Sequence, residues 1–263
     1  MKIGLPALVE YTELNQLVDL CKELNLNFIE LNMNMPYNFI ENINPLKLRK
    51  ITQDTGIEFT MHMPDDADLG IFYKSVREGF VKLFSDTLDW ANEAGVKLLN
   101  IHIIEGAKMT LPHKKVYMYD KYSDEYLKNF TESIEILSEK AQKYGIILAI
   151  ENSSNFGKTY IQNVLDKATT YPNIKLTWDV GHDAVSEFTD KEYLMKNVQH
   201  ISHMHFHDCK GKSDHQVPFD GDLNIEELIN FAKEQDIKLL IEVKTIESLK
   251  KSVEILRERN FIN

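Results

Sequence analysis

Cysteine is nearly absent: Cys21 and Cys209 are the only two in 263 residues. Two isolated thiols cannot build the disulfide framework of a small secreted domain, and they fit a reducing compartment. Positive charge is also short, with 30 Lys and Arg against 41 Asp and Glu, for a formal charge of -11. That balance repels nucleic acid and anionic lipid unless a basic patch or bound cations reverse the field. Neither Lys114 with Lys115 nor Lys210 with Lys212 makes a basic stripe. No window approaches the roughly 20 apolar residues that span a bilayer. The start, MKIGLPALVEY, places Pro6 and Glu10 where a signal peptide needs a longer apolar core. Glycine and proline are scattered, so there is no flexible linker, no G-x-G-x-x-G and no phosphate-binding P-loop. The expectation is a cytoplasmic protein without a membrane or nucleic-acid partner.

What is present is repetition. Short apolar runs recur from Ile3 to Val9, Phe28 to Met33, Glu58 to Met63, Lys97 to Ile103, Ile147 to Asn152, Lys175 to Val180, Ile201 to His207 and Lys238 to Val243. Between them lie segments with helical spacing, such as Leu14, Leu17, Val18 and Cys21, or Ile134, Leu137, Ala141 and Tyr144. Gly56, Gly95 and Gly145 stand just before strands, where a helix end favours a residue tolerant of positive φ. Asn224 to Glu227 has the form of a helix N-cap, and a last helix is expected from about Ile246 to Glu258. Eight strand-helix units, apolar on both strand faces, argue for an α/β fold: a (β/α)8 TIM barrel forming one domain over residues 1-263. An open doubly wound sheet is the alternative, because periodicity does not show closure. The stretch from Ile104 to Tyr122 is the longest interruption, and it is a candidate lid or specificity loop.

Ionisable residues collect at the C-terminal ends of these strands: His62, His102, Glu151, Asp179, His205 with His207, and Glu242. In a barrel those ends converge on one mouth. A carboxylate or imidazole buried singly costs several kcal/mol, whereas shared coordination of a cation compensates charge and satisfies lone pairs. A metal is the common explanation. Strict alternation puts His203, His205 and His207 on one face of the seventh strand, with His203 deepest and most easily read as a core histidine. Glu30 on the second strand faces inward, as a hydrogen-bonding residue or a substrate contact. Trp178 faces the opposite side from Asp179, toward a helix.

The motifs MHMP at His62, NIHI at His102, AIEN at Glu151, WDVGHD at Asp179, HMHFHD at His203 and IEV at Glu242 follow one another on successive strand ends, with an HxxPxxGD segment from His215 to Asp222. In that order the chain resembles the xylose isomerase-like TIM barrel superfamily, specifically its sugar phosphate isomerase/epimerase group, which shares its fold with endonuclease IV. The resemblance implies one divalent cation, Mn²⁺ ahead of Mg²⁺ or Co²⁺, held by Glu151, Asp179, His205 and Glu242. It implies Glu151 and Glu242 as the catalytic pair, with His182 on the substrate; His207, Lys210 and Glu30 are further substrate candidates by their places at the strand ends and in the following loop. The implied reaction is isomerisation or epimerisation of a sugar, sugar phosphate or related polyol-ketone through an enediolate.

The alternative implied by the same resemblance is an endonuclease IV-like hydrolase of abasic DNA holding Zn²⁺, with His62, His102, His182, His215, Asp220 and Asp222 as further metal or substrate residues. Asp222 stands where that pattern has a histidine, and the acidic charge opposes DNA. A non-catalytic metal-binding barrel is the third reading. A small carbohydrate is the expected partner, and homo-oligomerisation is left open.

Overall fold

Branched and aliphatic residues dominate the eight short runs, and each run forms a strand of four to six residues. In the computed structural model, which describes residues 1-262, the strands are β1 (Ile3–Pro6), β2 (Phe28–Asn32), β3 (Glu58–His62), β4 (Leu98–His102), β5 (Ile147–Glu151), β6 (Ile174–Asp179), β7 (Ile201–Phe206) and β8 (Lys238–Ile241). All pair in parallel with their sequence neighbours, and β8 returns to β1, with Ile3 opposite Leu239. The sheet is therefore a closed barrel, and the open doubly wound alternative falls.

The expected punctuation is in place. Gly56, Gly95 and Gly145 end helices at φ of 76°, 84° and 61°, backbone that L side chains adopt only with strain. Asn224 accepts the Glu227 N–H and starts a helix over Ile225–Glu234, and the last helix runs Ile246–Glu258. The core lies between the outer face of the barrel and these helices. Ile29, Met61, Ile101, Leu148, Leu176, Met204 and Ile241 are buried from the strand side, and Leu17, Leu88, Leu137, Ile161, Ile229 and Leu249 from the helix side. Trp178 belongs to this layer, its ring 5.3 Å from that of Phe231.

Alternation sends the other residues of each strand inward in three tiers. The floor holds Phe28, Glu58 and Lys238, the middle Glu30, Thr60, Asn100, Thr177 and His203, and the mouth His62, His102, Glu151, Asp179, His205 and Glu242. Two hairpins rise from the mouth side. Lys108–Leu111 pairs with Lys114–Tyr117 after β4, where the long interruption was expected, and Glu105 at its base pairs with Lys158 and Lys108. Asp208–Lys210 pairs with Ser213–Gln216 after β7.

Candidate metal and acid-base site at the barrel mouth

The strand ends meet at His205. Its Nδ1 lies 3.0 Å from Glu242 Oε2, 3.3 Å from Glu151 Oε1 and 3.8 Å from Asp179 Oδ2. Register makes this convergence: His205 pairs with Asp179 across β6 and β7 and with Leu240 on β8, and the Glu242 N–H continues the ladder by donating to the Phe206 carbonyl. His205 and Asp179 are wholly buried, Glu151 nearly so, and the Glu242 side chain is 12% exposed.

One imidazole nitrogen cannot serve three carboxylates. His205 Nδ1 and Glu242 Oε2 are left without an aligned hydrogen bond, as is His102 Nε2. Orphaned buried polar atoms of this kind call for an occupant. Three carboxylates and one neutral imidazole are the donor set of a borderline divalent cation, so these residues fit a metal. Burial alone pushes Glu151 and Glu242 up, but His205 foremost, with His102 beside Glu151 and Lys244 beside Glu242, outweighs it and holds both carboxyls well below the usual range. Burial lowers His205, and the charges of Glu151, Glu242 and Glu30 reverse that to keep its proton far above the ordinary imidazole range. The site thus attracts positive charge, as a proton or as a cation.

The carboxyls of Glu151 and Glu242 are anchored differently. Glu151 Oε2 accepts a short hydrogen bond from the Asn100 amide and lies 3.3 Å from His62 Nε2 and 3.2 Å from His102 Nε2. Burial lowers His62, but Glu151 outweighs it and raises the imidazole to about 9. Glu242 Oε1 is held instead by Lys244 Nζ at 2.7 Å. Asp179 caps the helix Val180–Val185 through the His182 N–H at 2.7 Å, and Asn152 pins its backbone on both sides. His182 Nδ1 stands 3.6 Å from both Glu151 and Asp179, partly exposed to the mouth.

The loop after β7 departs from expectation. Asp208 accepts four backbone N–H groups, from Cys209, Phe219, Gly221 and Leu223, at 2.7 to 3.0 Å. It is the loop's organiser rather than a substrate contact. A Cβ on Gly221 would lie 2.4 Å from Asp208 Oδ1, so the GD turn needs glycine. The folded loop brings Asp214 and His215 back over the mouth, where they group with His182; His215 Nδ1 is 2.9 Å from Asp214 and its Nε2 3.7 Å from Glu242. Asp220 instead pairs with Lys251, and Asp222 accepts the Gly211 N–H on the far side of the hairpin. Neither joins a cluster of donors among the described residues.

Lys210 is exposed on the hairpin, and the basic group at the mouth is Lys244. Both follow a barrel strand, so spacing alone could not choose between them. Glu30 and His203 lie beneath the mouth. Glu30 accepts from Thr60 Oγ1 at 2.8 Å and sits 3.0 Å from His205 Nε2, too deep for a substrate. Burial holds His203 neutral, lowered to about 4. His207 is fully buried against Asp179, also out of a substrate's reach. Asn100 and Asn152, both in contact with the cluster, went unread in the sequence; their signal was a buried amide inside an apolar strand motif.

Residues 18-259 match the model of the xylose isomerase-like TIM barrel family. The chain belongs to that family. An uncharacterized protein of Methanocaldococcus jannaschii is 28% identical over 216 residues, covering 77% of this chain and 70% of that protein. Among solved structures, a D-tagatose 3-epimerase-like protein superposes with a TM-score of 0.79 at 25% identity, over 98% of this chain and 96% of that one. The 3-keto-D-glucoside 4-epimerase of E. coli superposes with a TM-score of 0.74 at 16% identity over the whole of both chains. At that identity the second likeness is one of fold, and this member of the xylose isomerase-like family carries its own argument in the mouth cluster.

Proposed function

We propose that the protein is a divalent-metal-dependent isomerase or epimerase of a sugar, sugar phosphate or related polyol-ketone, working through an enediolate, with all of residues 1-263 as one barrel domain. The observation that carries this reading is the convergence of Glu151, Asp179 and Glu242 on His205 Nδ1, with donor atoms left unpaired. The likeness to a D-tagatose 3-epimerase-like protein supports the substrate class.

Glu151, Asp179, His205 and Glu242 would hold the cation, Mn²⁺ first by their oxygen-rich set. When bound, it supplies Lewis-acid stabilisation of the negative charge that develops on adjacent hydroxyl and carbonyl oxygens. Glu151 and Glu242 approach the mouth from different strands, so one removes a proton from carbon and the other returns it. Lys244 on Glu242 Oε1 and the His62–His102 pair on Glu151 Oε2 give the two carboxyls different partners, and unlike partners separate an acid from a base. His182 faces the mouth and contacts substrate hydroxyls. The buried free thiols support a cytoplasmic location, and no described helix is long and apolar enough to cross a membrane.

A second reading rests on two further groups, His62 and His102 on Glu151 Oε2 and His182 with Asp214 and His215. Three filled groups would favour metal-dependent phosphodiester hydrolysis. Metal content per chain, with anomalous diffraction locating each ion, separates the two. One cation, and solvent deuterium appearing at a substrate carbon across a ketose panel, is the expected result. Two or three zinc ions, with chelator-sensitive cleavage of abasic DNA and no exchange, would overturn it.

A further inference from the structure

We propose that His207 is a positioning residue for Asp179: it donates from Nε2 to the carboxylate and is neither a metal ligand nor a substrate contact. The proposal rests on the metal reading above. Its ground is the tautomer. The backbone N–H of His215 donates to His207 Nδ1 at 2.8 Å, closer than the Asp208 carbonyl at 3.2 Å from the same nitrogen, and a backbone N–H can only donate. A ring nitrogen that accepts a hydrogen bond carries no proton, so the neutral ring holds its proton on Nε2. Nε2 lies 3.2 Å from Asp179 Oδ1 and 3.4 Å from Oδ2. His207 also lies in a group of possible donors with Asp179, His215 and Glu242, but ligation through Nε2 would move the proton to Nδ1 and set it against the His215 N–H, at the cost of that hydrogen bond.

The surroundings are built to keep this ring in place. His207 is wholly buried and stacks on His215, with centroids 4.3 Å apart and planes 7° from parallel. Beneath it, a Cβ on Gly181 would come within 2.0 Å of Cε1, so only glycine leaves room. His215 holds φ at 55°, strained for a side chain, and that conformation aims its N–H at the ring. On Asp179, Oδ1 accepts the His182 N–H and lies 3.2 Å from His207 Nε2, while Oδ2 takes the aligned His207 contact at 3.4 Å and lies 3.8 Å from His205 Nδ1. His207 thereby spans both oxygens of the carboxylate and fixes its plane between His182 and His205. Outer partners of this kind tune affinity and orientation together. The alternation that placed His207 beside His205 stops at Phe206, where the strand ends, and His207 therefore approaches Asp179 from the side.

The test pairs two variants with a spectrum. Glutamine places its amide nitrogen near the position of Nε2, whereas asparagine matches only Nδ1. His207→Asn should weaken Mn²⁺ binding about 10- to 100-fold by titration calorimetry, and His207→Gln should restore most of the loss. Long-range ¹H–¹⁵N correlation spectra of the full chain, metal-free and with Mg²⁺, should show His207 protonated on Nε2 alone, the ring being assigned by its disappearance in His207→Gln. Equal weakening by Gln and Asn, or Mn²⁺ affinity unchanged in both, would overturn the role. So would a proton on Nδ1 in the unmodified chain, a result that does not depend on any variant folding. If the unmodified chain bound no Mn²⁺, the metal reading would fall with the predicted affinity loss, and the spectrum would still decide the contact with Asp179.

Discussion

The floor and the mouth of the barrel are made by the same inward positions of the same strands, yet they treat charge in opposite ways. At the floor Glu58 pairs with both Lys2 and Lys238, the latter at 2.9 Å, and Lys238 also lies over the Phe28 ring. Two cations there answer one carboxylate. At the mouth Glu151, Asp179 and Glu242 converge on one imidazole nitrogen that can serve at most one of them, with Lys244 the basic side chain paired there. A finished salt bridge is a stabilising device, whereas an unfinished one is a binding site. Phe28 adds to the contrast: wholly buried at the floor, its ring occupies the space that a side chain on Gly4 would need.

The largest expected effect breaks the mouth itself. Glu151→Gln or Glu242→Gln should lower solvent-proton exchange into substrate by about 10²- to 10⁴-fold, measured by NMR in D₂O, with circular dichroism unchanged. Loss of the fold, or retained exchange, would count against the assignment. Next comes the cation. Mn²⁺ at about a thousandfold over its dissociation constant should stabilise the chain by about 4 kcal/mol, read as a rise in melting temperature that EDTA reverses. Glu58→Gln should leave that rise intact, and His205→Ala should abolish it.

The floor should respond in stability alone. In Gly4→Ala the new methyl meets the Phe28 ring at 2.5 Å, which should cost about 1 to 3 kcal/mol by denaturant titration while activity is kept. The smallest effect is on pH. Burial raises the Glu58 carboxyl, but its hydrogen bonds to Lys2 and Lys238 outweigh that and lower it from the ordinary 4.5. A lowered carboxyl contributes stability above the unfolded value and loses it as pH falls through the folded one. Glu58→Gln should therefore flatten the decline below about pH 4.5, by less than about 1 kcal/mol for a partly exposed pair. An unchanged acid limb would remove the floor pair from the stability account.

Much of this was legible because it is local. Eight apolar runs, the glycines at 56, 95 and 145 and the Asn224 cap are each set by neighbours in the chain, and each appears where its spacing put it. The residues at strand ends were legible for a related reason: Glu151 in an apolar run has no comfortable burial without a partner. The loop after β7 was not legible. Asp220 and Asp222 lie near His215 in sequence, but Asp208 gathers the backbone of 219 to 223 and turns them away. Asp214, one residue before His215, is the acid that returns to His182. The same limit misplaced Lys210 for Lys244.

By itself the sequence determined the eight strand-helix units, which strand residues face inward, and the acidic character of the mouth, because alternation and burial cost act over a few residues. The tertiary structure alone decided closure, the meeting of Glu151, Asp179 and Glu242 at His205 Nδ1, and the return of the His215 N–H to His207 Nδ1. Those depend on strand register and on a loop returning to within hydrogen-bond reach, where a shift of one residue or 1 Å changes the partner.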